Sequence, residues 1–132
     1  MKKNDTLRQA RLKWAETLAK RFRRRCMGCG IQQNWLQIHE IERRSHGRKW
    51  AHTCNYLLLC VSCHAGPFAT MPHAEQLAHK LYWDPEHFDL QAWLRIGDPT
   101  LSAPYRVTLR EVEMQMQLLG NDDAMRPTDG RG

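Results

Sequence analysis

Residues 55–64 read Asn-Tyr-Leu-Leu-Leu-Cys-Val-Ser-Cys-His, so an apolar segment runs directly into a Cys-x-x-Cys pair, Cys60 and Cys63. A second pair, Cys26 and Cys29, lies upstream in Cys-Met-Gly-Cys-Gly, where the glycines suit the close amide approach of a metal knuckle. Zinc prefers tetrahedral sites with thiolate or imidazole ligands, and two such pairs can close one site. The four cysteines therefore predict a structural zinc ion that joins two distant parts of the chain.

The cysteine usage also bears on the cellular compartment. The chain has no run of about 18 apolar residues, and its basic N-terminus lacks the apolar core of a signal peptide. In an intracellular setting paired cysteines are better explained as metal ligands than as disulfides. We expect a cytoplasmic protein in which zinc contributes on the order of 10 kcal/mol to folding. The fifth cysteine, Cys54, is interpreted as a small buried side chain.

Positive charge is concentrated at one end of the chain. The net charge of the 132 residues is +6. Residues 1–25 hold ten Lys or Arg against two Asp or Glu, a net +8, whereas the rest of the chain holds ten against twelve, a net −2. Such a basic arm predicts a polyanionic partner, most simply nucleic acid, and the alternative is a solubilising tail.

The apolar pattern divides the chain into four parts and predicts an α+β fold. They are a basic N-terminal helix and arm over residues 1–25, a zinc-stapled core over 26–68, a helical extension over 69–120 and a disordered tail over 121–132. In the first part, residues 5–23 have the spacing of an amphipathic helix that packs Trp14 and Phe22 into the core.

The remaining elements are read from composition and capping signals. Residues 35–41 have the aromatic and branched character of a strand. Residues 55–60 fit either a short helix or a buried apolar segment, because periodicity cannot decide over so few positions. Helices are predicted over residues 72–83, 88–96 and 108–119, the last with Thr108 and Glu111 as a capping box and Gly120 as its C-cap.

Four polar residues within or next to the loop between the knuckles could form a second site. They are His39, Glu40, Asn55 and His64. Phosphodiester cleavage requires a base or oriented water on one side of phosphorus and a cation on the other. A histidine or carboxylate on a strand and a histidine at the start of a helix can supply both. The other histidines are interpreted as ordinary surface or core residues: His46, His52, His73, His79 and His87.

At these positions the chain resembles the zinc-containing HNH endonuclease family, the ββα-metal nucleases. The family pattern runs Cys-x-x-Cys-Gly, then a strand ending in His-His-Ile or Asp-His-Ile, then Asn-Leu-x-x-Leu-Cys-x-x-Cys-His. The matching segments here are residues 26–30, 38–41 and 55–64. The resemblance implies a ββα-metal core stapled by a four-cysteine zinc site, and hydrolysis of DNA with a divalent cation such as Mg²⁺, Mn²⁺ or Ni²⁺.

The resemblance also implies a role for each matching position. The implied structural zinc ligands are Cys26, Cys29, Cys60 and Cys63. His39 matches the first member of the family's strand pair and His64 the closing histidine, and both are implied as ligands of the catalytic cation. Asn55 matches the middle asparagine, which orients the base or contacts the metal.

Glu40 departs from the family pattern, which usually has its general-base histidine there. A carboxylate with an ordinary pKa near 4 is a weaker base than imidazole, and a neighbouring cation favours its use as a ligand. Either Glu40 binds metal and His39 is the base, or Glu40 itself activates water. In a third version the site has lost catalysis and retains DNA binding. We hypothesise that His39 is the base, because its imidazole pKa lies near the working pH.

Two basic clusters flank the expected site and are predicted to contact DNA phosphates without reading bases. They are Arg23, Arg24 and Arg25 before the first knuckle, and Arg43, Arg44, Arg48 and Lys49 after the His39 strand. Residues 50–132 hold six basic and ten acidic groups, so the C-terminal helices are expected to support the core or contact a protein partner.

The leading functional hypothesis is a metal-dependent DNA endonuclease. The alternative is a catalytically weakened zinc module that binds nucleic acid or a protein, which explains the four cysteines and the basic arm but not the spacing of His39, Asn55 and His64. A redox role for the Cys-x-x-Cys pairs is disfavoured, because no βαβ pattern surrounds them.

Overall fold

The computed structural model of the chain describes residues 3–43, 52–97 and 106–121. The strands are β1 (Gln37–Glu40) and β2 (Tyr56–Leu59), and the helices are α1 (Lys3–Arg21), α2 (Val61–Ala65), α3 (Pro67–Thr70), α4 (His73–Trp83), α5 (Leu90–Gly97) and α6 (Leu109–Leu119). This part of the chain is α+β, as predicted. The predicted disordered tail beyond residue 121 lies outside the described residues, as do three of the predicted phosphate contacts, Arg44, Arg48 and Lys49.

A two-stranded antiparallel sheet lies at the centre of the described fold. In its register His39 is opposite Leu57 and Glu40 is opposite Tyr56. Every residue of β2 is buried, and the ring of Trp14 on α1 lies 5.5 Å from the ring of Tyr56. The segment that sequence left open between helix and buried apolar run is therefore a buried strand. Its run of large apolar side chains has no exposed face, which is why it shows no alternation.

Helix α1 belongs to the core as well as to the basic arm. Its apolar stripe buries Trp14, Leu18 and the following Phe22, each with 4% or less of its surface exposed. The ring of Phe22 meets Trp83 of α4 edge-on at 5.2 Å. The predicted core packing of Trp14 and Phe22 is confirmed.

A buried polar network fastens α1 and β2 to α4. The ammonium of Lys80, which is fully buried, donates 2.8 Å hydrogen bonds to Asp84 Oδ2 and to the Tyr56 carbonyl, and it lies 4.5 Å from the ring centre of Trp14. Asp84 also accepts hydrogen bonds from Trp14 Nε1 at 2.9 Å and from His87 Nδ1 at 2.8 Å. Burial lowers the pKa of Lys80 to about 8, although the Asp84 charge opposes this shift.

Helix α6 packs against α4, helix α5 lies against the 3₁₀ turn Thr53–Asn55, and all three helices are close to their predicted bounds. Thr108 caps α6, because its side chain accepts a hydrogen bond from the backbone N–H of Glu111 at 3.2 Å, which confirms Thr108 as the N-cap. Gly120 follows the last turn but has right-handed geometry (φ −65°), so it ends the helix without a left-handed cap. In the described ranges, every helix is too short or too polar to cross a bilayer.

Candidate metal centres and the adjoining cavity

The four predicted zinc ligands converge in the fold. The Sγ atoms of Cys26, Cys29, Cys60 and Cys63, which together we call the four-cysteine cluster, all lie within 4.8 Å of one another. Cys29 Sγ is 3.9 Å from Cys60 Sγ. Sulfurs bonded tetrahedrally to one zinc ion at about 2.3 Å would stand about 3.8 Å apart. The cluster could therefore hold a metal ion such as zinc with little rearrangement.

The backbone around the cluster is shaped to hold thiolates. The N–H groups of Gly28 and Cys60 both donate to Cys26 Sγ at 3.2 Å. A Cβ added at Gly28 would lie 2.9 Å from Cys63 Sγ and 2.7 Å from the ring of Phe68. Because real Cβ atoms essentially never approach so closely, the knuckle requires glycine at this position.

The thiols shift one another's pKa values in opposite directions. Burial and the neighbouring Cys26 raise the pKa of Cys63, and burial raises that of Cys26. At Cys60, burial is outweighed by hydrogen bonds from the Cys63 backbone and the neighbouring thiols, so its pKa is lowered. Four thiolates at this spacing repel one another unless a cation lies between them, so the donor set suits a divalent metal.

The second knuckle also carries one half of a histidine pair. Helix α2 begins directly after Cys60 and contains both Cys63 and His64. His39, near the end of β1, points its Nδ1 at the Nδ1 of His64, 3.0 Å away. His39 and His64 are therefore adjacent, and the helix that carries His64 also carries Cys63 of the four-cysteine cluster.

Gln76 sets the tautomer of His39. Gln76 Nε2 donates to the Met71 carbonyl at 2.7 Å, which turns Gln76 Oε1 towards His39 Nε2, also at 2.7 Å. Since an amide oxygen only accepts, His39 carries its proton on Nε2 and presents a lone pair on Nδ1. Burial lowers the pKa of His39, and the Gln76 hydrogen bond opposes this only in part, so the neutral ring is favoured.

An open cavity of about 680 Å³ lies against this histidine pair. Its charged, imidazole and amide lining comes from β1, α1, α2, α4 and the segment after β1: Arg11, His39, Glu40, Glu42, Arg43, His64, His73 and Gln76. Such a mixture of imidazole, carboxylate and guanidinium groups in one concave site could bind a phosphate and move a proton beside it.

Glu40 lines the same cavity but is paired with a cation from the protein. Its Oε1 lies 3.4 Å from a guanidinium nitrogen of Arg11 on α1. Within the described residues, the four-cysteine cluster is the one group of three or more His, Cys, Asp or Glu ligands within 4.8 Å of one another. The geometry thus gathers His39 and His64 closely, without adding Glu40 as a third close ligand.

Asn55 is placed behind the cavity wall. It is fully buried at the end of the 3₁₀ turn Thr53–Asn55, and it clasps the backbone of Glu42: Oδ1 accepts from the Glu42 N–H and Nδ2 donates to the Glu42 carbonyl, both at 2.9 Å. Oδ1 also accepts from Trp93 Nε1 at 2.9 Å. Asn55 therefore positions the segment after β1.

No family model, curated protein or solved structure matches the chain. The resemblance to the HNH endonucleases therefore stands on the motif residues themselves.

Sequence reasoning missed a second polar pair in the cavity. His73 Nε2 lies 3.2 Å from Glu42 Oε2, and the His73 ring meets Trp93 edge-on at 5.0 Å. The sequence pattern indicates an ordinary role for His73 and gives no sign of Glu42 or Gln76 as site residues. The available signal was weak: His73 and Gln76 lie three residues apart at the start of a predicted helix, so they share a face.

The predicted phosphate contacts are distributed differently from the sequence expectation. Arg43 lines the cavity, together with Arg11, which was not singled out. Arg25 packs its guanidinium 5.0 Å from the Trp83 ring centre and donates to the Gly30 carbonyl. Arg23 and Arg24 are exposed, with left-handed φ angles of 53° and 60°, a conformation that costs non-glycine residues about 1–3 kcal/mol each.

Proposed function

We propose that the protein is a metal-dependent endonuclease that hydrolyses DNA phosphodiester bonds in the cavity beside the four-cysteine cluster. The observation that carries the proposal is the 3.0 Å approach of His39 Nδ1 and His64 Nδ1 at the wall of that cavity. It is supported by the strand–strand–helix order of β1, β2 and α2 and by the match to the HNH motif. In this proposal these elements are a ββα-metal core with structural zinc.

The histidine pair has the spacing required to hold one divalent cation. Two adjacent ligands of an octahedral ion with bonds of about 2.1 Å stand about 3.0 Å apart. Imidazole nitrogens suit ions such as Ni²⁺ better than Mg²⁺. When bound, such a cation would supply charge stabilisation at the phosphoryl oxygens and the leaving oxygen. We therefore assign His39 and His64 to cation binding. A general base would need the Nδ1 lone pair of His39 to face the attacking water, and that lone pair faces His64 instead.

The Glu42–His73 pair is suited to accept the proton of the attacking water. His73 Nε2 lies 3.2 Å from Glu42 Oε2, so the carboxylate can stabilise the imidazolium that forms when the ring accepts a proton. As the water oxygen bonds to phosphorus and the bond to the leaving oxygen breaks, the water proton passes to His73, and the leaving oxygen takes a proton from solvent. A positioned imidazole contributes about 10²–10⁴-fold in such a step.

Two arginines that line the cavity hold the phosphate. Arg11 comes from α1 and Arg43 from the segment after β1, so the cavity offers cationic groups from two parts of the chain. Arg11 also holds Glu40 at 3.4 Å. The role of Glu40 in this proposal is to orient Arg11 towards the phosphate, and Asn55 keeps Glu42 in place from behind.

A plasmid-nicking assay tests the proposal. Zinc-loaded protein is incubated with supercoiled plasmid and added Ni²⁺, Mn²⁺ or Mg²⁺, and parallel reactions receive no added metal. We expect nicking that depends on the added ion and falls about 10²-fold or more in His64→Ala and in His73→Ala. His52→Ala is the matched control, because His52 is exposed and does not line the cavity.

The outcomes separate the two classes of function. Retained zinc and an unchanged thermal unfolding midpoint show that each variant is folded. If the wild-type protein retains DNA but nicks it with none of the ions, the endonuclease proposal fails and the binding-module alternative is favoured. If His73→Ala alone stays fully active, the proton-acceptor assignment fails while the cation pair survives.

A further inference from the structure

One tryptophan is displayed on the surface although the chain has an apolar core to bury it in. Trp35 is 82% exposed, whereas Trp14, Trp83 and Trp93 are each 4% exposed or less. Trp35 follows the first zinc knuckle and lies two residues before β1. An exposed indole offers a large flat apolar face, and aromatic faces on nucleic-acid-binding proteins stack on unpaired bases.

The segment that carries Trp35 is joined to the turn at Arg23 and Arg24, which we call the arginine turn. The neighbours of Trp35 in sequence, Asn34 and Leu36, line a depression of about 250 Å³ together with Arg24 and Glu16. The Arg24 carbonyl accepts the N–H of Gln33 at 2.9 Å, which holds the segment before Trp35 against the arginine turn. The backbone next to Trp35 and the arginine turn are therefore neighbours in the fold.

The arginine turn has a conformation that its own residues disfavour. Both Arg23 and Arg24 have left-handed φ angles, where glycine is the unstrained residue. The strain is maintained by hydrogen bonds from Arg24 N to the Ala19 carbonyl and from Gln32 Nε2 to the Arg23 carbonyl. The turn therefore ends α1 and leaves both cationic side chains exposed.

We infer that Trp35 and Arg24 form a binding site for an unstacked nucleotide of a nucleic-acid strand, with the base on the indole and a flanking phosphate on the guanidinium. Charge favours this occupant over a protein segment, because Arg23 and Arg24 are exposed in the arginine turn and residues 1–25 carry a net +8. The substrate class is single-stranded, bulged or branched nucleic acid rather than an uninterrupted duplex.

The site lies close to the proposed reaction centre. Helix α1 contributes Arg11 to the large cavity and Ala15, Glu16 and Ala19 to the depression. Arg11 and Ala19 are separated by about 12 Å along the helix. The step from Trp35 to His39 is four residues, a span of at most about 14 Å. That length corresponds to about four nucleotides of a stacked strand. Cleavage is therefore expected within about four nucleotides of the unstacked base. The expected cleavage position rests on the proposed function, whereas the binding site does not.

Tryptophan fluorescence tests the binding site without any hydrolysis. The zinc-loaded Trp50→Phe protein, without an added second cation, is titrated with a single-stranded oligonucleotide and with the duplex of the same sequence. We expect the single strand to quench emission, because the described tryptophans other than Trp35 are buried. Replacing Trp35 with Phe in the same background should remove the quenching while leaving binding nearly intact.

Affinities measured by fluorescence anisotropy identify the contact. Trp35→Ala should weaken single-strand binding by about 5- to 150-fold, the range for loss of one base–aromatic stack, and duplex binding by less than about twofold. Leu118→Ala, which removes another exposed apolar side chain, is the control and should change neither affinity. Equal losses of affinity for the single strand and the duplex, or no quenching by single strands, would overturn the inference. A surface that binds a protein instead of DNA at Trp35 would show no quenching by single strands.

Arg24 provides an independent arm of the test. Arg24→Gly should raise the thermal unfolding midpoint, because glycine relieves the left-handed strain, and should weaken single-strand binding with a salt slope smaller by about one. Arg24→Ala should show the same loss of binding without the gain in stability. If the protein nicks plasmid normally but single strands do not quench Trp35, the binding site is disproved and the proposed function is unaffected.

Discussion

His39 and Gln76 are joined by a 2.7 Å hydrogen bond that decides which imidazole nitrogen faces the cavity. The orientation of the Gln76 amide is set in turn by the hydrogen bond that Gln76 Nε2 donates to the Met71 carbonyl. Outer partners of this kind commonly contribute about 10- to 100-fold to metal affinity or activity.

Gln76→Met should therefore reduce nicking by about 10- to 100-fold and raise the concentration of divalent cation needed for half-maximal rate. Methionine keeps the volume but accepts no proton from His39 Nε2. Gln76→Glu keeps an acceptor oxygen and should recover part of the loss. Gln117→Met on the exposed side of α6 is the control. Nicking within twofold of wild type in Gln76→Met would contradict the positioning role.

Removal of one zinc ligand should unfold the region around both knuckles. We expect Cys29→Ser to bind far less than the roughly one zinc per chain of the wild type, because three thiolates hold the ion poorly. Elemental analysis of the purified protein measures the content. Cys54→Ala is the matched control, since Cys54 is buried outside the cluster and should leave zinc unchanged. Equal zinc in both variants would show that the four cysteines are not the ligands.

Asn55→Ala should destabilise the protein by about 3–5 kcal/mol, because each buried group left unsatisfied costs about 1–3 kcal/mol. The groups concerned are the N–H and carbonyl of Glu42 and the indole N–H of Trp93. Urea unfolding of the zinc-loaded protein measures the change, with exposed Asn34→Ala as control. A loss below about 1 kcal/mol combined with loss of nicking would instead indicate direct participation in catalysis.

The buried side chain of His79 should make the free energy of unfolding fall at acid pH. Its Nδ1 donates to the Met27 carbonyl at 2.8 Å, and burial lowers its pKa below 6.5, with that hydrogen bond opposing the shift. Below pH 6.5 the unfolded chain binds a proton that the folded protein rejects, so the free energy of unfolding falls as the pH drops through 6.5 and is unaffected above it.

The measurement is the urea midpoint between pH 7.5 and 5.5 for wild type, His79→Gln and His52→Gln. The fall should be smaller in His79→Gln, which cannot titrate, and the same as wild type in His52→Gln, where the side chain is exposed. Because His79 contacts the knuckle at Met27, the zinc content of each protein is measured at every pH, and midpoints are compared only where the zinc content is equal. Parallel slopes in wild type and His79→Gln would disprove the contribution.

Sequence predicted the features that depend on local pattern or on ligand spacing. The cysteine pairs, the apolar stripe of α1 and the Thr108 cap are of this kind, because neighbouring residues decide them. The strand β2 stayed open because burial on both faces erases the alternation that identifies a strand.

The cavity depends on contacts between distant residues, which no local pattern encodes. Arg11 meets Glu40 across 29 positions, and Gln76 meets His39 across 37. The basic cluster before the first knuckle was treated as uniform, whereas Arg25 is committed to Trp83 and Arg24 is exposed at a strained turn. Charge composition locates such a cluster but cannot say which members face solvent.

The network of Trp14, Lys80 and Asp84 means that the cationic N-terminus cannot be dissected by truncation. A chain shortened to begin at the first knuckle would leave Asp84 and Lys80 without the indole that covers them, and it would uncover the surface that Leu18 and Phe22 bury. If such a fragment lost DNA retention, the cause could be misfolding of the core as well as the missing positive charge, and the experiment would not separate the two. The same coupling makes this helix unsuitable for transfer to another scaffold as a portable basic tag.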